Sequence, residues 1–169
     1  VAIVEFWATW CGPCRESIPH LTELHKQYLS KGVAFIGVSN EDPAVVKTFV
    51  EKMGDKMEYH VAVDKDNKTF DAYMGAYGKN GIPNAFVIDR AGQVIWEGHP
   101  MNEAMVAAIN DALKPDYQFD PSKAAPKKDG GSVAMGKTQK GDMLAQLYQV
   151  MVVYIQEPEG TRTIGDLLV

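Results

Sequence analysis

The chain has 169 residues, 46% of them hydrophobic, and a formal net charge of −5 at pH 7. That supplies one good core with an appendage, and the acidic balance gives no electrostatic basis for binding nucleic acid or an anionic membrane. No apolar run approaches the roughly 20 residues of a membrane span, so any membrane anchor would have to lie upstream of Val1.

Residues 1–6 are mostly apolar and rich in β-branched side chains, which predicts a buried strand. The chain opens on this strand without Met or a polar lead-in, so upstream elements, with any export signal, are expected to be missing. Across residues 16–29, Ile18, Leu21, Leu24, Tyr28 and Leu29 follow helical spacing. Between strand and helix lie the only two cysteines, with Cys11 expected at or just before the helix start and Cys14 inside its first turn. Gly12 and Pro13 suit a tight entry, because Gly is permissive and Pro is tolerated in the first turn. A helix N-terminus carries unpaired N–H groups and positive partial charge, so the Cys11 thiolate is expected to form more readily than a free thiol's. Two sulfurs at this spacing close a small ring and make a reversible dithiol rather than a structural staple. Two other readings are unrelated buried cysteines and half of a zinc site. Zinc takes about four ligands, and neither a second cysteine pair nor His20, His25, His60 and His99 supplies the spacing.

Ser30-Lys31-Gly32 ends the first helix, and residues 33–38 form a second buried strand without alternation, as parallel central strands do. Asp42 and Pro43 are placed to cap and open a helix running to about Met53, with Val46, Phe49 and Val50 facing inward. Residues 59–64 predict a third strand and residues 68–77 a short helix. Gly81-Ile82-Pro83-Asn84 then leads into a strand at 85–89, and a turn at 90–93 returns it antiparallel at 94–97. The closing helix is expected over 101–113, with Met105, Ala108, Ile109 and Ala112 on one stripe. Alternating strands and helices of this kind predict an α/β fold with right-handed crossovers.

From Lys114 the pattern breaks. Pro115, Pro121, Pro126 and several glycines punctuate the stretch, and residues 122–141 carry five lysines against one acid. Residues 114–141 are therefore expected to form a solvated linker following a domain at 1–113. In residues 142–169, Met143, Leu144, Leu147, Val150, Met151 and Tyr154 are spaced as an amphipathic helix, although 152–155 also suits a strand. This segment is expected to begin a further module or to dock on the first domain.

Val4-Glu5-Phe6-Trp7-Ala8-Thr9-Trp10-Cys11-Gly12-Pro13-Cys14-Arg15 resembles the active-site segment of the thioredoxin superfamily. The Ala-Thr-Trp lead-in and the later Ile18-Pro19 resemble its TlpA/ResA-like branch of thiol–disulfide oxidoreductases. The resemblance spans residues 1–113. It implies a thioredoxin-like α/β fold, a mixed central sheet flanked by helices, with residues 41–63 as the branch's extra helix and strand. It implies Cys11 as attacking nucleophile, Cys14 as resolving thiol, and Trp10 as a shield over the dithiol. Pro83 matches the family's cis proline, which faces the dithiol and presents the backbone of Ile82 to an extended substrate. Gly12-Pro13 between the cysteines resembles the reducing members. The implied partners are a protein disulfide and an upstream thiol reductant, with no metal and no cofactor. The implied compartment is periplasmic or otherwise extracytoplasmic, although two catalytic cysteines fit the cytoplasm equally.

Strand periodicity sends Ile3 and Glu5 to one face, where a carboxyl would be desolvated and its pKa raised. Thioredoxins carry a buried acid at this position, which exchanges a proton with the resolving thiol; the other reading of Glu5 is an exposed edge carboxylate. The branch often has a glutamate three residues after the second cysteine, where this chain has Ser17, with Glu16 expected outward. A thiol peroxidase calls for Pro and Thr seven and three positions before its cysteine, and Val4 and Ala8 stand there. A non-catalytic thioredoxin-fold binding module is the remaining alternative, disfavoured by two intact thiols and Pro83.

Overall fold

The computed structural model describes residues 1–121 and 151–154. The apolar opening forms β1 (Ala2–Phe6), buried along its whole length. The helix α1 (Gly12–Leu29) starts earlier than its apolar spacing predicts, because Gly12 and Pro13 supply the first turn. Next come β2 (Ala34–Ser39), α2 (Pro43–Met53) and β3 (His60–Asp64). Asp42 caps α2 as expected, its carboxylate accepting the Ala44 N–H at 2.8 Å with Pro43 at the first position. The helix expected at 68–77 is a short α3 (Lys68–Phe70) running into a π-helical turn, Asp71–Gly75. Asp64 fixes its entry by accepting the Thr69 and Phe70 N–H groups at 2.9 and 2.7 Å. The hairpin is β4 (Asn84–Ile88) and β5 (Val94–Gly98), and α4 (Glu103–Ala112) follows under the cap of Asn102.

The sixth strand is β6 (Met151–Tyr154). The sheet order is β5-β4-β1-β2-β3-β6. β1, β2 and β3 run parallel, whereas β4, β5 and β6 join antiparallel. This is the mixed, thioredoxin-like sheet that the resemblance implied, with α2 and β3 as the added helix and strand. Of the two readings open at the end of the 142–155 stretch, the strand holds: Met151–Tyr154 is extended. Two adjacent valines favour a strand, and the pairing covers the edge of β3. Residues 122–141 of the expected linker and residues 142–150 and 155–169 of the C-terminal segment lie outside the described residues. Lys114 and Tyr117 are tied to the β4–β5 turn, by Arg90 donating to the Lys114 carbonyl at 2.7 Å and the Tyr117 hydroxyl donating to Asp89 at 3.0 Å. Among the described residues no helix is long and apolar enough to cross a membrane.

Each face of the sheet buries its own core. On one face Ile3 and Trp7 of the β1 segment pack with Ile18 of α1, Val46 of α2 and Ile109 of α4. On the other, Phe6 and Phe86 meet edge-on at 5.9 Å under Tyr73 and Met74. Gly37 of β2 lies opposite Glu5, and a Cβ there would stand 2.9 Å from the Tyr59 ring and 3.0 Å from the Trp7 indole nitrogen. Gly37→Ala is therefore expected to cost about 1–3 kcal/mol, the usual penalty of overpacking. Urea unfolding checks this, and an unchanged midpoint would contradict the close packing over Gly37.

Candidate active site

The strand-to-helix turn places both sulfurs at the mouth of α1. Cys11 is the N-cap, with its carbonyl accepting the Arg15 N–H and its Sγ 3.2 Å from the Cys14 backbone N–H. Cys11 and Cys14 are joined as a disulfide, with Cα atoms 5.2 Å apart. Cys14 is fully buried. Cys11 is the more open of the two, but at 4% exposure it is far less accessible than a helix mouth alone predicts. Its cover includes a segment distant in sequence: the Ile82 carbonyl oxygen lies 3.8 Å from its Sγ, and the Ile82–Pro83 peptide is cis. Gly12 has nothing within 4 Å of where a Cβ would stand, and Pro13 is exposed, so both lie on the open side of the turn. Trp10, implied as a shield, is 72% exposed and forms one wall of a cleft of about 180 Å³. Ile82 lines the same cleft.

Glu5 is 1% exposed on a central strand, between Gly37 of β2 and Ala85 of β4, which removes the edge-carboxylate reading. Alternation puts it on the face of Ile3 and Trp7, the core that also holds Cys14. Neither carboxyl oxygen has a hydrogen-bond partner, and the buried Trp7 indole nitrogen and Tyr59 hydroxyl also lack one. Burial pushes the Glu5 pKa up to about 8. Burial also raises the Tyr59 phenol, and the Glu5 charge adds to that shift, so the two groups feel each other. Ser17 is buried, donating to the Cys14 carbonyl at 2.9 Å, while Glu16 points outward as expected.

Glu41, which motif reading passed over as part of a helix-opening loop, reaches the dithiol turn. Its carboxylate accepts the Thr9 N–H at 2.6 Å on one oxygen and the Thr9 hydroxyl at 2.7 Å on the other. Ser39 braces it by donating to the first of these oxygens at 3.1 Å and accepting the Glu41 N–H at 3.3 Å. The Thr9 hydroxyl is thus committed to Glu41. The one local signal was an acid two residues past the end of a buried strand, a pattern common enough to carry little by itself.

Residues 1–97 match the family model described as the AhpC/TSA family. The thiol-disulfide oxidoreductase ResA of Bacillus thuringiensis strain Al Hakam is 38% identical over 93 residues, which are 54% of this chain and 50% of that protein. ResA of Halalkalibacterium halodurans is 31% identical over 116 residues, 67% of this chain and 62% of the relative. This chain thus spans about half the length of the first of these curated relatives. Among solved structures, a protein described as thiol:disulfide interchange protein DsbE from Chlorobium tepidum is 31% identical with a TM-score of 0.59. That match covers 68% of this chain and 80% of the other.

Proposed function

This chain belongs to the AhpC/TSA family, and we propose that within it the chain is a protein thiol–disulfide oxidoreductase working through Cys11 and Cys14. The observation that carries the reading is the Cys11–Cys14 disulfide at the start of α1, beside the Ile82 carbonyl. In the reduced form, the Cys14 N–H and the N-terminus of α1 stabilise a thiolate on Cys11. That thiolate attacks one sulfur of a substrate disulfide, forms a mixed disulfide, and releases the other substrate sulfur as a thiolate that takes up a proton. Cys14 then loses its proton and attacks Cys11, releasing the second substrate thiol and leaving the intramolecular disulfide. Two electrons pass to the substrate, and an upstream dithiol restores the pair.

The cis Ile82–Pro83 segment is assigned the role of holding an extended substrate, whose backbone pairs with Ile82 as a short added strand. Glu5 is assigned the proton from Cys14. Trp10, Gly12 and Pro13 form the open side that a substrate meets. Val4 and Ala8, where a thiol peroxidase calls for Pro and Thr, argue against peroxide chemistry. The TlpA/ResA-like resemblance supports an extracytoplasmic setting for the domain.

Gly12-Pro13 supports the reducing direction, so insulin disulfides should be turned over with dithiothreitol as the electron source. Titration against glutathione should give a potential nearer thioredoxin's, about −270 mV, than that of the oxidant DsbA, about −120 mV. A midpoint above about −150 mV would contradict the reductant reading. No turnover of insulin would favour a binding module.

A further inference from the structure

We propose that Glu41 is a positioning residue: by clamping Thr9 it holds the Trp10 wall of a cleft that takes an apolar side chain adjoining the substrate's reacting cysteine. The proposal rests on the dithiol being the reacting site. The loop between β1 and α1 is anchored at its ends, by the Trp7 N–H to the Val38 carbonyl at 3.1 Å and the Cys11 N–H to the Ala8 carbonyl at 3.1 Å. Between those anchors Thr9 is held from both its N–H and its hydroxyl by the Glu41 carboxylate, from 32 residues away. Hydrogen bonds to an ionised carboxylate are short and about twice as strong as neutral ones. The residue after Thr9 is the exposed Trp10, and the residue before Glu41 is Asn40; both line the cleft. The clamp therefore ties together two loops that both line the cleft.

The cleft adjoins the dithiol through Ile82 and Trp10. Ile82 lines it while its carbonyl oxygen lies 3.8 Å from Cys11 Sγ, and Trp10 is the neighbour of Cys11 in the chain. A substrate held on Cys11 and along Ile82 would put the side chain beside its cysteine over this opening. The walls are mainly Trp10, Phe70, Val38 and Ile82. Asp64, Asn40 and Asn80 also line it; both Asp64 oxygens already accept the Thr69 and Phe70 N–H groups and the two amides are uncharged, so the cleft offers an apolar surface before a charged one. Burying an apolar side chain there releases its surface from water.

The test uses two short peptide disulfides that differ only in Phe or Gly beside the cysteine. Reduction by the full chain is compared as the ratio of kcat/KM for the two, which cancels changes in thiol reactivity common to both. The wild type should favour the Phe peptide roughly tenfold, chiefly through KM. Glu41→Ala should bring the ratio to within about twofold, whereas Glu41→Gln, which keeps an acceptor for the Thr9 N–H and a donor for its hydroxyl, should retain most of it. Thr9→Val, losing only the hydroxyl contact, should fall between and serves if Glu41→Ala does not fold. A wild-type ratio near one, an unchanged ratio in Glu41→Ala, or equal loss in Glu41→Gln and Glu41→Ala would each overturn the clamp. Failure of the wild type to reduce either peptide would overturn the dithiol reading itself.

Discussion

Glu5→Gln is expected to stabilise the fold at pH 7 and, in the same molecule, to slow release of substrate from Cys11. The stability effect follows from linkage. The folded protein holds the Glu5 carboxyl near pKa 8 against an ordinary value of 4.5, because a buried charge with no hydrogen-bond partner is disfavoured. An acid whose pKa is raised on folding costs nothing below its unfolded pKa. It loses stability as pH rises towards the folded value, by about 1.4 kcal/mol per pH unit. By pH 7 the loss is about 3 kcal/mol, and Gln, which does not titrate, avoids it. Thermal unfolding should show a gain of roughly 10 °C at pH 7 for a chain of this size, shrinking towards zero at pH 4. The kinetic effect has the opposite sign for the protein's use. Cys14 is wholly enclosed and must shed a proton before it can attack Cys11, and the proposed acceptor is the carboxylate of Glu5, buried on the same face of the sheet. Removing a positioned proton acceptor commonly costs on the order of 10²-fold. Because Glu5 becomes a carboxylate only as pH approaches about 8, the slowing and the build-up of mixed disulfide should grow as pH rises through that value. Resolution at the wild-type rate through pH 8 and above would reduce Glu5 to a structural residue, with the proton going directly to solvent.

Most of this site is written in short-range pattern. The β-branched run at 1–6, the helical spacing after Cys14 and the Asp42–Pro43 start of α2 each rest on local physics that the fold keeps. Glu5 was legible because period-2 alternation alone put it beside Ile3, facing the core. What depends on contacts across the chain was not. The cover over Cys11 includes Ile82, 71 residues on, which its position at the helix mouth does not reveal. Glu41 reads locally as a solvated loop acid, and only the crossing of two loops brings it to Thr9. The end of the 142–155 stretch read as either helix or strand, and the available edge of β3 decides for a strand at Met151–Tyr154. Edge pairing is a tertiary opportunity that outweighs a weak periodic signal.

Removal of either sulfur should have the largest effect of all, and the two removals should differ in kind. Cys11→Ser takes away the nucleophile, so turnover of protein disulfides should fall by roughly 10³-fold or more with no intermediate. Cys14→Ser leaves the attacking thiol at the N-cap of α1 with its backbone donor, so the first exchange should proceed and then stop. Turnover fails in both variants, but only the second should hold its substrate covalently. The asymmetry follows from position: Cys11, the slightly more open of the two, borders the Ile82 segment, whereas Cys14 is sealed inside the first helical turn. The most direct measurement is therefore non-reducing mass spectrometry of each single-cysteine variant after mixing with a protein disulfide. Cys14→Ser should carry stoichiometric substrate on Cys11, released by dithiothreitol, and Cys11→Ser should carry almost none. Equal trapping on both variants, or trapping on Cys14 alone, would contradict Cys11 as the attacking thiol.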